Sequence, residues 1–405
     1  MSVKLSRTGL RYYLHGLFRY ASMAHVVPNQ WLDAVQVLGK NNFWRIVMRT
    51  LAKISLLGGM ALAMGYTVAF ADEPPINDKP LTEKWFPTEF GADDKAGAIN
   101  RVTPDKVMKA LKLVKTGKSA TLGKTYSKDI PGFGVRGWQM TIPGTPTGGP
   151  FGKNALIYHD ELVTTEIGQI STQFDGPGHI GVHTSKGNMM YNGRLAENCY
   201  LRGAGGRVLG MGDCGVEHVA QKSFICRGVL IDAMTFKGGG KPLPIPQKAG
   251  DPGIVTEADM KSIIKAEGIA EPGEGDCVFI HTGHGNLWGL GDWEKLSADD
   301  QAARRKAFSA GEPGYGISAC RYMASKKIIL TGGDTSANDA QPGGEEDGMA
   351  VPCHTEMQTR YGIWNIENLD LTVLSKEKVY EFLFVWAPLK IKGGTGSPGN
   401  PVAMW

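Results

Sequence analysis

Apolar and polar positions follow three different rhythms along this chain of 405 residues. One is a largely apolar run without a single charge from Ile54 to Ala71, led in by Met48-Arg-Thr-Leu-Ala-Lys53. The second is helical. Thr103-Pro104-Asp105 offers a cap, a proline and an acid for a first turn, and Val107, Leu111 and Val114 follow at helical spacing up to Gly117. Val255-Thr256-Glu257-Ala258-Asp259 opens another capped helix that runs to Gly268, and Ala302 to Ala310 reads as a basic helix. A further helix follows Pro352-Cys353-His354, carries Met357 and Tyr361, and stops at Gly362.

The third rhythm is the short apolar block of a buried strand. Arg227 to Ala233, Cys277 to Ile280, Lys327 to Thr331 and the centre of Val379 to Pro388 all show it. Ala120 to Tyr126 reads as a short strand, and Ala155 to Thr172 as strand-like segments. Residues 131–153 are rich in Gly and Pro and read as a long loop, and a Gly/Pro-rich tail closes the chain. Strands alternating with helices predict an α/β fold. No internal repeat is visible.

The apolar run near the start ends in Ala69-Phe70-Ala71, ahead of Asp72-Glu73-Pro74-Pro75. A basic start, an apolar run and an Ala-x-Ala close describe a secretory signal peptide over 48–71, cleaved after Ala71. Met48 then reads as the start, with 1–47 an untranslated upstream extension. An uncleaved membrane anchor is the competing reading, weakened by Gly58, Gly59 and Gly65. Residues 72–90 read as an extended linker or arm that Trp85 and Phe86 could dock. Export predicts a periplasmic or secreted protein without stable membrane insertion after cleavage. It also permits disulfides among the six cysteines, Cys199, Cys214, Cys226, Cys277, Cys320 and Cys353. The sequence does not choose a pairing, and buried free thiols are the alternative.

Charge narrows the partners. The first 71 residues hold eight of the 44 basic residues and one of the 40 acidic ones, which leaves 36 against 39 in the remainder. That mildly acidic body shows no basic stripe, so no nucleic-acid partner is expected.

Candidate chemistry concentrates in Gln169-Ile-Ser-Thr-Gln-Phe-Asp-Gly-Pro-Gly-His-Ile-Gly-Val-His183. In an extended segment, residues 169, 171, 173 and 175 would share one face. The stretch is either a metal or catalytic centre or a polar surface loop. Further polar groups sit at strand ends: His281 and His284, Asp334, His354 and Glu367. Asp, His and Glu together suit Zn2+ or Mn2+ in a catalytic role. His159, His183 and His218 read as structural or surface residues. Other chemistries are poorly supported. Thr147 to Asn154 lacks the residues of a phosphate loop, there is no Gly-x-Ser-x-Gly elbow and no His-Glu-x-x-His helix, and Cys353 beside His354 is a weak thiol nucleophile.

These residues resemble a known family. The signature His-x-Gly-Thr-His-x-Asp-x-Pro-x-His of the cyclase family of metal-dependent hydrolases, which includes kynurenine formamidase and isatin hydrolase, is similar to Gln169-x-Ser171-Thr172-Gln173-x-Asp175-x-Pro177-x-His179. Gly332 to Asp339, His354 before a helix, Ile366-Glu367-Asn368-Leu369, the segment Phe90 to Asn100 and the C-terminal segment fit as well. The resemblance implies the family's swivelling β/β/α-type α/β fold over residues 91–405. It implies metal ligation by Asp175, His354 and Glu367 and acid/base work by His179. Gln169 and Gln173 replace both upstream signature histidines, so one divalent metal, with help from Gln173 or Gln169, replaces a two-zinc site. An oxygen-richer set shifts preference toward Mn2+.

The implied reaction is hydrolysis of an amide-type C–N bond, in a formamide, lactam or isatin-like compound, an arylformamidase-like activity. His281 and His284 would contact this small-molecule substrate, and Trp138 and Trp288 would wall its pocket. Homodimers or homotetramers fit the resemblance. A binding protein without catalysis and a lyase or cyclase are the rival readings.

Overall fold

The computed structural model describes residues 84–132, 136–346 and 348–405. The expected signal peptide and upstream extension lie outside the described residues. Strands run in chain order as β1 (Ser119–Thr121), β2 (Trp138–Thr141), β3 (Gly148–Phe151), β4 (Leu156–Tyr158), β5 (Leu162–Thr165), β6 (Gln173–Asp175), β7 (Val182–Thr184), β8 (Gly187–Met189), β9 (Leu201–Arg202) and β10 (Val208–Gly210). They continue as β11 (Phe224–Ile231), β12 (Ile254–Val255), β13 (Cys277–Ile280), β14 (Gly314–Tyr315), β15 (Leu330–Gly333), β16 (Trp364–Glu367), β17 (Glu381–Trp386), β18 (Gly396–Pro398) and β19 (Val402–Met404).

One nine-stranded sheet, in the order β1-β19-β17-β11-β13-β15-β16-β6-β18, organises the chain. Its centre, β11, β13, β15 and β16, is parallel. Strands buried on both faces must be apolar throughout, and every residue of Cys277-Val-Phe-Ile280 is buried. Aromatic rings fill the layer beside them, with Phe279 and Phe384 at 4.7 Å and Phe174 and Trp386 at 4.9 Å between centroids. The helix Glu257–Glu267 starts at a capping box: Thr256 accepts from Asp259 N–H at 3.2 Å, and Asp259 accepts from Thr256 N–H at 2.9 Å.

Two readings need correction, and one left open is resolved. The Gly/Pro-rich tail is no loose end, because β18 pairs with β6 and β19 joins β17 to β1. The loop expected at 131–153 contains β2 and β3, which pair with β5 and β4 into a long hairpin arm. Its prolines and glycines masked the strand signal. Finally, all six cysteines are paired, as Cys199–Cys214, Cys226–Cys277 and Cys320–Cys353, so buried thiols and a Cys353 nucleophile are both excluded. The helix Ile317–Ser325 was not legible at all. It is buried on most sides, so it carries no apolar stripe to read.

Candidate metal centre

Two short antiparallel strands build the site. Strand alternation puts Gln173 and Asp175 on one face of β6, and Asn365 and Glu367 on one face of β16. Their register sets Glu367 opposite Gln173 and Asn365 opposite Asp175. Directly opposed side chains meet. Gln173 Nε2 donates to Glu367 Oε2 at 2.6 Å, and Asn365 Nδ2 donates to Glu367 Oε1 at 2.8 Å. A π-helix, His354–Tyr361, then brings His354 to the two carboxylates. Gly362 ends that helix at φ 61°, where a Cβ would meet Gly97 Cα at 2.7 Å.

His354 Nε2 lies 3.4 Å from Asp175 Oδ2 and 3.2 Å from Glu367 Oε1. Its Nδ1 donates to Asp339 Oδ2 at 2.7 Å. The ligand-type atoms of Asp175, His354 and Glu367 all lie within 4.8 Å of one another, and all three residues are buried. His179 follows the turn Gly176-Pro177-Gly178 and places Nε2 3.8 Å from Asp175 Oδ1. Gly178 is required there, since a Cβ would sit 2.7 Å from Cys214 O.

The electrostatics are those of a cation site. Burial drives the Glu367 carboxyl up to about 8, and the neighbouring Asp175 charge adds to it. Burial also works against the Asp175 anion, but His179 and His354 outweigh it and hold that carboxyl below its ordinary range. Burial opposes charge on His354, yet its bonds to Asp175, Asp339 and Glu367 prevail and raise it well above the usual histidine value. His179 is lowered, chiefly by burial, with Asp175 opposing. Asp175 Oδ1 is buried and accepts no hydrogen bond among the described residues. Two carboxylates and one imidazole with a spare acceptor oxygen fit a divalent ion.

Gln169 does not join the trio. Its Nε2 lies 3.4 Å from Thr395 Oγ1, because Ser171 at φ 56° breaks the extended run and with it the expected shared face. His281 and His284 are buried in protein contacts. His281 Nδ1 meets Asp232 Oδ1 at 3.0 Å, and His284 Nε2 meets Phe308 O at 3.1 Å. Asp334 holds their loop by accepting from Thr282 and from the amides of Gly283 and Gly285. A cavity of about 320 Å³ opens beside Phe308, Glu312 and Ser336. Trp288 backs Phe308 at 5.9 Å between centroids, and Trp138 packs on Tyr126 at 5.2 Å. Sequence reasoning missed Asp339, Asn365 and Gln358, whose Nε2 is 3.4 Å from Asp175 Oδ2. Only the motif Gly332 to Asp339 hinted at the first.

The architecture and the buried trio together define a cyclase-type α/β protein with a candidate metal site. The chain belongs to the Cyclase family, whose model matches residues 109–340. Isatin hydrolase of Roseibium aggregatum is 32% identical to it over 161 residues, which are 39% of this chain and 55% of that protein. The match thus spans about half the length of that relative. A crystal structure described as a novel cyclase superposes with a TM-score of 0.63 at 26% identity, over 82% of this chain and 100% of the other.

Proposed function

We propose that this chain is a metal-dependent hydrolase that opens an amide-type C–N bond in a small cyclic or aromatic compound. The observation that carries the reading is the buried Asp175, His354 and Glu367 trio with His179 beside it. Family membership and the likeness to isatin hydrolase support the substrate class.

When bound, a divalent ion supplies Lewis acidity toward a carbonyl oxygen and toward water. Asp175, His354 and Glu367 would hold it. Asp339 accepts the Nδ1–H of His354, which would leave the Nε2 lone pair to the ion. Gln173, bound to Glu367 through its amide nitrogen, orients that carboxylate. Two oxygen donors to one nitrogen favour Mn2+ over Zn2+. His179 is neutral near pH 7 because burial lowers its pKa, which suits a base. It accepts a proton from the attacking water and delivers it to the leaving nitrogen. The water oxygen ends on the carbonyl carbon and the C–N bond breaks.

Metal analysis of the purified protein, combined with a panel of isatin-like lactams and aryl formamides, tests the reading. Activity is expected on at least one cyclic amide, with one solvent oxygen entering the product in labelled water. His179→Ala should keep the metal and lose at least ~100-fold in kcat. Full activity in chelator-treated protein would overturn the proposal, and product without solvent oxygen would favour a lyase or cyclase.

We also infer export. Three disulfides suit an oxidising compartment, and no helix among the described residues is long and apolar enough to cross a membrane. A mature N-terminus at Asp72, read by mass spectrometry, is the expected result.

A further inference from the structure

The base of the hairpin arm carries a cation that the mechanism above does not use. Arg136 lies just ahead of β2 and is half-buried, and its Nη1 donates to Gln169 O at 3.2 Å. Gln169 opens the segment that runs down to Asp175 and His179. Its Nε2 lies 3.4 Å from Thr395 Oγ1, the Thr395 carbonyl accepts from Gly176 N–H at 2.9 Å, and Gly176 O accepts from His179 N–H at 3.1 Å. The guanidinium is therefore tied to the same turn as His179. Burial is the larger influence on that imidazole, but the charge of Arg136 reaches it too, opposing a proton there together with His354 and against Asp175. Aromatic side chains pack around this part of the chain. Trp138, two residues on, rests on Tyr126, whose hydroxyl donates to Thr172 O. Ile170, beside Gln169, belongs to a buried cluster with Trp288 and Phe308, and Tyr126 and Trp138 pack against it. Phe308 and Gly132 both line the cavity of about 320 Å³. A Cβ on Gly132 would lie 2.1 Å from Arg136 O, so the backbone of Arg136 closes directly on the cavity's edge.

The geometry points to Arg136 as a carboxylate-binding residue of this site, so that the compounds it takes are aromatic or cyclic amides that also bear an acid group. The inference rests on the hydrolase reading for the amide and adds the second functional group. A guanidinium keeps its charge at any pH a protein meets, and it presents five N–H donors in a planar fork. The bond to Gln169 O fixes that fork in place, and a backbone carbonyl brings no countercharge. Arg136 stands apart from the Asp175, His354 and Glu367 trio, so its charge answers to a group of the ligand other than the scissile carbonyl. A carboxylate matches the fork with two parallel bonds, and the aromatic side chains nearby suit the ring that carries it. Lysine in the same place would keep the charge and lose the fork.

Isothermal titration of the full chain with benzoate and with its neutral amide, benzamide, reads this contact without turnover. The acid is expected to bind at least ~10-fold more tightly than the amide. Arg136→Gln should abolish that preference while the affinity for benzamide stays within about twofold, since only the charged contact is removed. Arg136→Lys should retain part of the preference. Guanidinium chloride at millimolar concentration should restore it to Arg136→Ala, a rescue that a merely structural role would not give. Circular dichroism of each variant checks the fold, and if Arg136→Gln does not fold, the parent's ratio and Arg136→Lys still decide. Equal affinity for acid and amide in the parent overturns the proposal. So does a preference that survives intact in Arg136→Gln, which would assign the carboxylate to another group. Failure of the hydrolase reading looks different: formanilide with and without a ring carboxylate would both go unhydrolysed, while the Arg136-dependent preference for benzoate remained.

Discussion

His354 is held from both ends of its ring. Asp339 takes Nδ1, and Asp175 and Glu367 face Nε2. Such a partner fixes the tautomer and raises ligand basicity. Asp339→Asn should therefore lower Mn2+ affinity about 10–100-fold, read by isothermal titration, while the fold survives. The three ligand candidates were visible among several polar residues near strand ends, and the family resemblance singled them out. Asp339, Asn365 and Gln358 were not, since their partners lie on other elements and no local pattern marks them. The two glutamines illustrate the same divide. Their departure from the signature is plain in the sequence, but not that Gln173 faces Glu367 while Gln169 turns toward Thr395.

Between elements, the decisive junctions are the β6–β16 pairing and the Cys320–Cys353 disulfide. That disulfide, across a separation of 33 residues, ties the helix Ile317–Ser325 to the chain just before His354. Replacing both cysteines by Ser should cost roughly 3–4 kcal/mol of stability by the loop-entropy relation. It should also weaken metal binding, because the π-helix loses its anchor. Thermal unfolding and metal titration of the double variant check both outcomes. Core strands and capped helices could be located from sequence because apolar blocks and caps are local signals. Half of the arm could be, since β4 and β5 fall in the strand-like stretch Ala155 to Thr172, whereas prolines and glycines hid their partners β2 and β3.

For the molecule as a whole, buried acids set the pH response. Glu267 is pushed up to about 8, mainly by burial and also by the nearby Asp232 charge, against an ordinary value of 4.5. Between these values the folded chain binds more protons than the unfolded one, so stability falls as pH rises. This contribution is fully present below 4.5 and lost as pH passes through about 8. Glu267→Gln should flatten the decline by on the order of 3 kcal/mol, allowing for partial exposure. Urea midpoints of metal-free protein at pH 5, 7 and 9 would show it. A variant as pH-sensitive as the parent would refute the assignment.

An α/β chain was readable from order and spacing, because strand runs, caps and turns depend on neighbours along the chain, and the ligand candidates came with the family resemblance. The family resemblance rested on the same local motifs. Strand register, disulfide pairing and the tail strands β18 and β19 depend on contacts between residues far apart in sequence. The same is true of the candidate metal centre. Asp175 and Glu367 are separated by nearly half the chain, and they become one site only because two short strands lie side by side.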